Sequence, residues 1–180
     1  MTALYPKPGH RGAIAAISSF FGRASAWCAL ATVIVCASVA ILRYVAGIGF
    51  PWLQGLYIAF FAACIMSGAA ETYRVNGHVR VDIFSHRFSP RARNVIETVG
   101  IAVFLTPWLA TIIYASLAGE HSFVRSAFAQ LEGAAIEGGL PGVYLMKALV
   151  PLGALLLMLQ GFATLYERLS DLSGTKKDQE

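Results

Sequence analysis

The chain has 180 residues, 57% hydrophobic and 13% charged, with a mean hydropathy of +0.62. That composition excludes an ordinary soluble enzyme domain and reads as an integral membrane protein. The formal charge of +4 is divided among short segments between long uncharged runs, so the bases act as topology signals and not as a nucleic-acid face.

In chain order, residues 1–23 carry Lys7, Arg11 and Arg23 ahead of a full-length apolar run and resemble an uncleaved signal anchor. The first span is expected at 24–42, with Ala24, Cys28, Thr32, Cys36 and Ala40 recurring every fourth residue. A short turn follows, in which Tyr44, Phe50 and Trp52 fit an interfacial aromatic belt. The second span, 52–70, repeats small residues at Gly55, Ala59, Ala63 and Ser67. Such spacing lets helix backbones approach where lipid supplies no hydrophobic drive, so at least one stripe is expected to be a helix contact.

Residues 71–93, "ETYRVNGHVRVDIFSHRFSPRAR", gather acid and base together with two of the four histidines and five of the fourteen Lys and Arg. Val81, Phe84 and Phe88 fall on one helical side there, as a membrane-surface segment requires. Ser89 reads as an N-cap and Pro90 as the first residue of the third helix. The third span, 95–117, contains Pro107, which is expected to bend it. The fourth, 148–166, holds Pro151 in its early turns and Gln160 deep inside. Residues 170–180 form a polar tail.

Each run is long enough to cross about 30 Å of hydrocarbon as a helix. Stretches such as "ATVIVCASVAIL" are apolar on all faces, unlike the alternating strands of a membrane barrel. The fold class is therefore an all-α integral membrane protein of four transmembrane helices, with a cytoplasmic interfacial segment between helices 2 and 3. One membrane domain is expected at 24–169, between cytoplasmic tails at 1–23 and 170–180. With the amino terminus cytoplasmic, eleven Lys and Arg fall on the inner side and three (Arg43, Arg125 and Lys147) on the outer. By the positive-inside rule both termini are cytoplasmic.

Candidate chemistry is sparse. Cys28, Cys36 and Cys64 lie inside spans without a CxxC pair, and read as packing residues. None of the histidines lies within a span, which argues against a helical bis-histidine cytochrome. His78, Asp82 and His86 are spaced by four and would share a helical face, so a small membrane metalloenzyme is the rival reading. Gly77 interrupts helix continuity, however, and no fourth ligand is evident. Glu97 is the nearest approach to an in-span carboxylate, and Arg93 four residues earlier, or the helix N-terminus, accounts for it. Gln160 suits an interhelical hydrogen bond. Arg43 and Lys147 suit snorkelling or a subunit interface. No catalytic residue, metal site or cofactor is expected, and the residues point to an accessory membrane subunit.

The order of motifs resembles a known family. "GHVRVDIFSHRFSPRAR" after the second span, "FLTPWLATIIYASL" in the third and "EGGLPGVYLMKALVPLGALLLMLQGF" at the close are similar to the small permease subunit of tripartite ATP-independent periplasmic (TRAP) transporters, over residues 27–169. The resemblance rests on Gly77, His78, Val79, Val81 and Asp82, then Pro107, then Gly139, Leu140 and Pro141 leading to Lys147, Pro151 and Gln160. It implies a bacterial inner-membrane importer. A periplasmic binding protein would deliver an organic anion, typically a carboxylate, to a large permease subunit performing sodium-coupled transport. The small subunit would be a non-catalytic scaffold that contacts that large subunit, the binding protein and membrane lipids. On that reading His78, Arg80, Asp82, Arg43 and Gln160 are candidates for subunit contact or loop anchoring. Glu120, Arg125, Glu132 and Glu137 are candidates for periplasmic docking.

Overall fold

A computed structural model describes residues 12–78, 88–119 and 122–174, and within them the chain is helical. Helix α1 (Ala13–Tyr44) has 32 residues, about 48 Å at 1.5 Å per residue. It starts well ahead of residue 24, because the sequence from Ala13 to Phe21 holds neither glycine nor proline to stop it. It ends at a turn where Gly47 takes φ +67° and the Ile48 N–H bonds back to the Leu42 carbonyl at 3.0 Å.

Helix α2 (Pro51–Arg74) begins with proline in its first turn, where a missing N–H costs nothing. It stops at Asn76, whose φ of +53° suits a residue that tolerates the left-handed region, and the Gly77 N–H returns to the Thr72 carbonyl at 2.8 Å.

Helix α3 (Pro90–Val99) starts as its sequence dictates, with the Ser89 hydroxyl accepting from the Ala92 N–H at 3.2 Å. A π-helical turn, Gly100–Leu105, then leads into α4 (Thr106–Leu117), and the three make one continuous span. Pro107 explains the wide turn. It has no N–H to offer and its ring crowds the carbonyl four residues back. The ladder shifts to i→i−5, so the Thr106 N–H and its hydroxyl, at 2.9 Å, both donate to the Ile101 carbonyl. The expected disturbance at Pro107 thus takes the form of a π turn immediately ahead of it.

Short α5 (Phe123–Ala129) turns Val124 and Ala127 inward, and α6 (Val143–Gly174) runs through Pro151 without stopping. Four stretches, Ala13–Tyr44, Pro51–Arg74, Arg91–Leu117 and Val143–Ser170, are long and apolar enough to cross a membrane. Helix α6 is the hub. A third of its most apolar window is buried, against none of that of α1, and α2, α4 and α5 pack chiefly on it or on its neighbours.

Small residues set the close contacts, as helix association in lipid requires. A Cβ added to Gly22 would come within 2.5 Å of the Glu71 Cγ, and one on Gly153 within 2.9 Å of the Met66 carbonyl oxygen. Ser25 lies over Gly68 and donates to the Cys64 carbonyl at 2.8 Å. The face of α1 that meets α2 thus passes through Gly22 and Ser25, whereas Cys36 and Ala40 of the expected stripe are exposed. The reason is geometric. At about 100° per residue, an every-fourth series drifts about 40° each step, so five members cannot share one contact line. In α2 the stripe divides: Ser67 is buried, while Gly55 meets Leu140 of the loop before α6.

Candidate functional site

Two gatherings of polar groups lie on α6. The first is a seam joining α1, α3 and α6. On α6, Gln160, Thr164 and Arg168 recur every fourth residue, and Thr164 donates its hydroxyl to the Gln160 carbonyl at 3.0 Å. Arg168 bonds Asn94 Oδ1 at 2.8 Å and ion-pairs with Glu97, both on α3. One α-helical step further along, Ile101 and Leu105 rest against Gly161. Gln160 is fully buried, and its Oε1 accepts from the Ser18 hydroxyl of α1 at 2.9 Å. Its Nε2 and the Thr98 hydroxyl are buried and have no partner among the described residues.

Helix α3 is amphipathic the wrong way round for water. Val95, Ile96 and Val99 are exposed, while Asn94, Glu97 and Thr98 turn toward the bundle. Such a helix is stable where its surroundings are hydrocarbon and its polar side chains find partners inside the protein.

Glu97 was the one carboxylate that sequence reasoning offered near a span, and Arg93 or the helix N-terminus was its expected counterpart. The structure adds Arg168 of α6 as a partner, with the Glu97 and Arg168 side chains only 20% and 11% exposed. A carboxylate already neutralised by a buried guanidinium is poorly suited to coordinate an incoming cation. Arg168 escaped the sequence reading because it is far along the chain. The signal that reveals it is the i, i+4, i+8 polar stripe from Gln160.

The second gathering lies at the other end of α6. Lys147 pairs with Glu132 at 2.5 Å within the chain. Lys147 and Arg168 are 21 residues apart, about 31 Å of helix, which matches the hydrocarbon thickness. The two ion pairs therefore bracket the apolar band of α6.

The other sequence candidates are placed as follows. Arg43 is exposed in the last turn of α1. His78 is exposed beside Tyr73, with ring centroids 6.1 Å apart. Arg80, Asp82 and His86 lie outside the described residues, as does Glu120. Among the described residues no group of three or more His, Cys, Asp or Glu side chains is placed to hold a metal. Of the outer candidates, Arg125 and Glu137 are exposed, whereas Glu132 is held by Lys147. Cys28, Cys36 and Cys64 are free thiols, Cys64 lying 3.5 Å from the Ser25 hydroxyl.

Comparison with known families gives a match to the family described as tripartite ATP-independent periplasmic transporters, DctQ component, over residues 31–171. No curated protein and no solved structure matches the chain. The match takes in the π turn, the loop before α6 and the part of α6 carrying Gln160 and Arg168, and with four membrane-spanning helices it assigns the chain to that family as a TRAP transporter small membrane subunit.

Proposed function

We propose that this subunit is a non-catalytic scaffold of a sodium-coupled importer of organic anions, typically carboxylates, in the bacterial inner membrane. It supports the large permease subunit and helps a periplasmic binding protein dock. The observation that carries the reading is the Glu97–Arg168 pair: the carboxylate best placed to coordinate a coupling ion is committed to holding α3 against α6. Coupling then belongs to the large subunit.

Two further features support the assembly. No residue in the most apolar window of α1 is buried in the bundle, leaving a whole helix flank for lipid and the large subunit. Arg125 and Glu137 are exposed at the end that the positive-inside count assigns to the periplasm, where charged side chains would steer a soluble binding protein. The same count keeps both termini cytoplasmic. His78, Arg80 and Asp82 would anchor the inner loop, and Arg43 the outer rim.

Affinity capture of the native complex in mild detergent tests the proposal. The expected result is stoichiometric recovery of a multi-span polypeptide, with the binding protein joining when its ligand is present. Recovery of this chain only as a homo-oligomer that transports solute would overturn it.

A further inference from the structure

The loop at 130–142, between α5 and α6, has the wrong surface for a loop standing in water. Its sequence, "QLEGAAIEGGLPG", carries two charges, and one of them, Glu132, is taken up by Lys147. Leu131 is 70% and Ile136 68% exposed, with Ala134 and Ala135 open between them. Leu131 is also held at φ +47°. Asn76, in the turn after α2, occupies the same region with a side chain suited to it. A leucine kept in that conformation and turned outward is a costly choice unless its side chain has somewhere apolar to go.

The backbone of the loop is closed on itself. The Ala134 N–H donates to the Leu140 carbonyl at 3.1 Å and the Gly139 N–H to Ile136 at 2.9 Å. Glu132 N–H reaches the Ala127 carbonyl at 3.0 Å, and Tyr144 N–H reaches Glu132 at 3.3 Å. Gly139 permits this closure, since a Cβ there would come within 2.5 Å of the Ala134 Cβ. Non-helical backbone tolerates the membrane boundary when its polar groups are met internally.

The position of the loop follows from its anchors. Leu140 packs on Gly55, one turn into α2 and beside Trp52. Val143, which follows the loop, lies four residues before Lys147, about 6 Å of helix. With Lys147 at the edge of the hydrocarbon, that puts the loop within the headgroup layer, which is about 5–7 Å thick on each side.

We propose that this loop is an interfacial wedge that seats Leu131 and Ile136 among the phospholipid headgroups and upper acyl chains at that end of the bundle. The Glu132–Lys147 pair and the Leu140–Gly55 contact hold its depth. The wedge does not depend on the docking reading: Arg125, on α5 and outside the loop, remains available to a soluble partner.

The test places nitroxide labels on Leu131→Cys and Ile136→Cys in the full-length protein, in nanodiscs of phosphatidylethanolamine and phosphatidylglycerol. Labelling of the unsubstituted chain supplies the background from its own cysteines. Both positions are exposed, so the labels leave the packing intact. Oxygen, which concentrates in acyl chains, is expected to relax both labels several-fold more than a water-soluble nickel chelate. Nickel relaxation equal to or above that of oxygen would overturn the wedge. Shielding from both reagents would assign the face to a protein neighbour and overturn it equally.

Discussion

Removing the Ser18 hydroxyl should cost more than replacing Gln160 with an apolar residue of similar length. Gln160 is fully buried and, among the described residues, makes one interhelical bond, from Ser18, while its Nε2 has no partner there. Ser18→Ala would leave the whole amide without an interhelical partner. An unmet buried polar group costs about 1–3 kcal/mol, and hydrogen bonds between membrane helices average about 0.6 kcal/mol with a maximum near 1.7. The expected loss is therefore about 1–2 kcal/mol. Gln160→Met removes the acceptor and the orphaned donor together, and Ser18 regains the option of donating to a carbonyl one turn back along α1. Its expected cost is below about 1 kcal/mol, with a gain in stability allowed by the same reasoning. The double variant should lie close to Gln160→Met alone, because no interhelical bond remains for Ser18→Ala to break. Equilibrium unfolding of the purified chain in micelles of increasing denaturing-detergent fraction measures all three. Gln160→Met more damaging than Ser18→Ala, or strictly additive effects in the double variant, would refute the reasoning.

Three other outcomes follow from the packing and the charges. Arg168→Met removes the α6 guanidinium from the Glu97 carboxylate and should destabilise the fold by about 3 kcal/mol at most, the lower end for breaking a buried pair. Adding Glu97→Gln should restore a large part of that loss in thermal unfolding. Gly153→Ala drives a Cβ to 2.9 Å from the Met66 backbone carbonyl, which has little room to yield, so a loss of about 1–3 kcal/mol is expected. Gly161→Ala meets the ends of the Leu105 side chain at 3.2 Å and the Ile101 side chain at 3.8 Å and should be nearly neutral, helped by the better helix propensity of alanine. Neutralising Arg80, Arg87, Arg91 and Arg93 together should disturb topology or assembly, read by membrane-impermeant labelling of terminal tags, whereas His78→Ala alone should leave the complex intact.

What was legible in the sequence was local. Four uncharged runs are physically committed to hydrocarbon, and Ser89 with Pro90 starts α3 because a cap acts within one turn. Pro107 marked the right place, although the form of the response, a π turn closed by Thr106, depends on a hydroxyl neighbour as well as on the proline. What could not be read were partners fixed by tertiary packing. Ser18 meets Gln160 across 142 residues of chain, and Arg168 meets Asn94 across 74. No periodicity in α1 announces that its early turns join the bundle, and the every-fourth stripe that did stand out drifts off the contact line. The loop before α6 shows the same limit. Glu132 and Glu137 look alike in sequence, yet one is tied to Lys147 and the other is exposed.

The central claim is that this chain supports transport without performing it. Reconstitution into sodium-loaded and sodium-free proteoliposomes addresses it directly, comparing the subunit alone, the large permease subunit alone and the two together, each with the ligand-loaded binding protein. The account predicts uptake only when both membrane subunits are present under an inward sodium gradient, and none from this subunit alone. Robust uptake by this subunit alone, or undiminished uptake by the large subunit without it, would contradict the account.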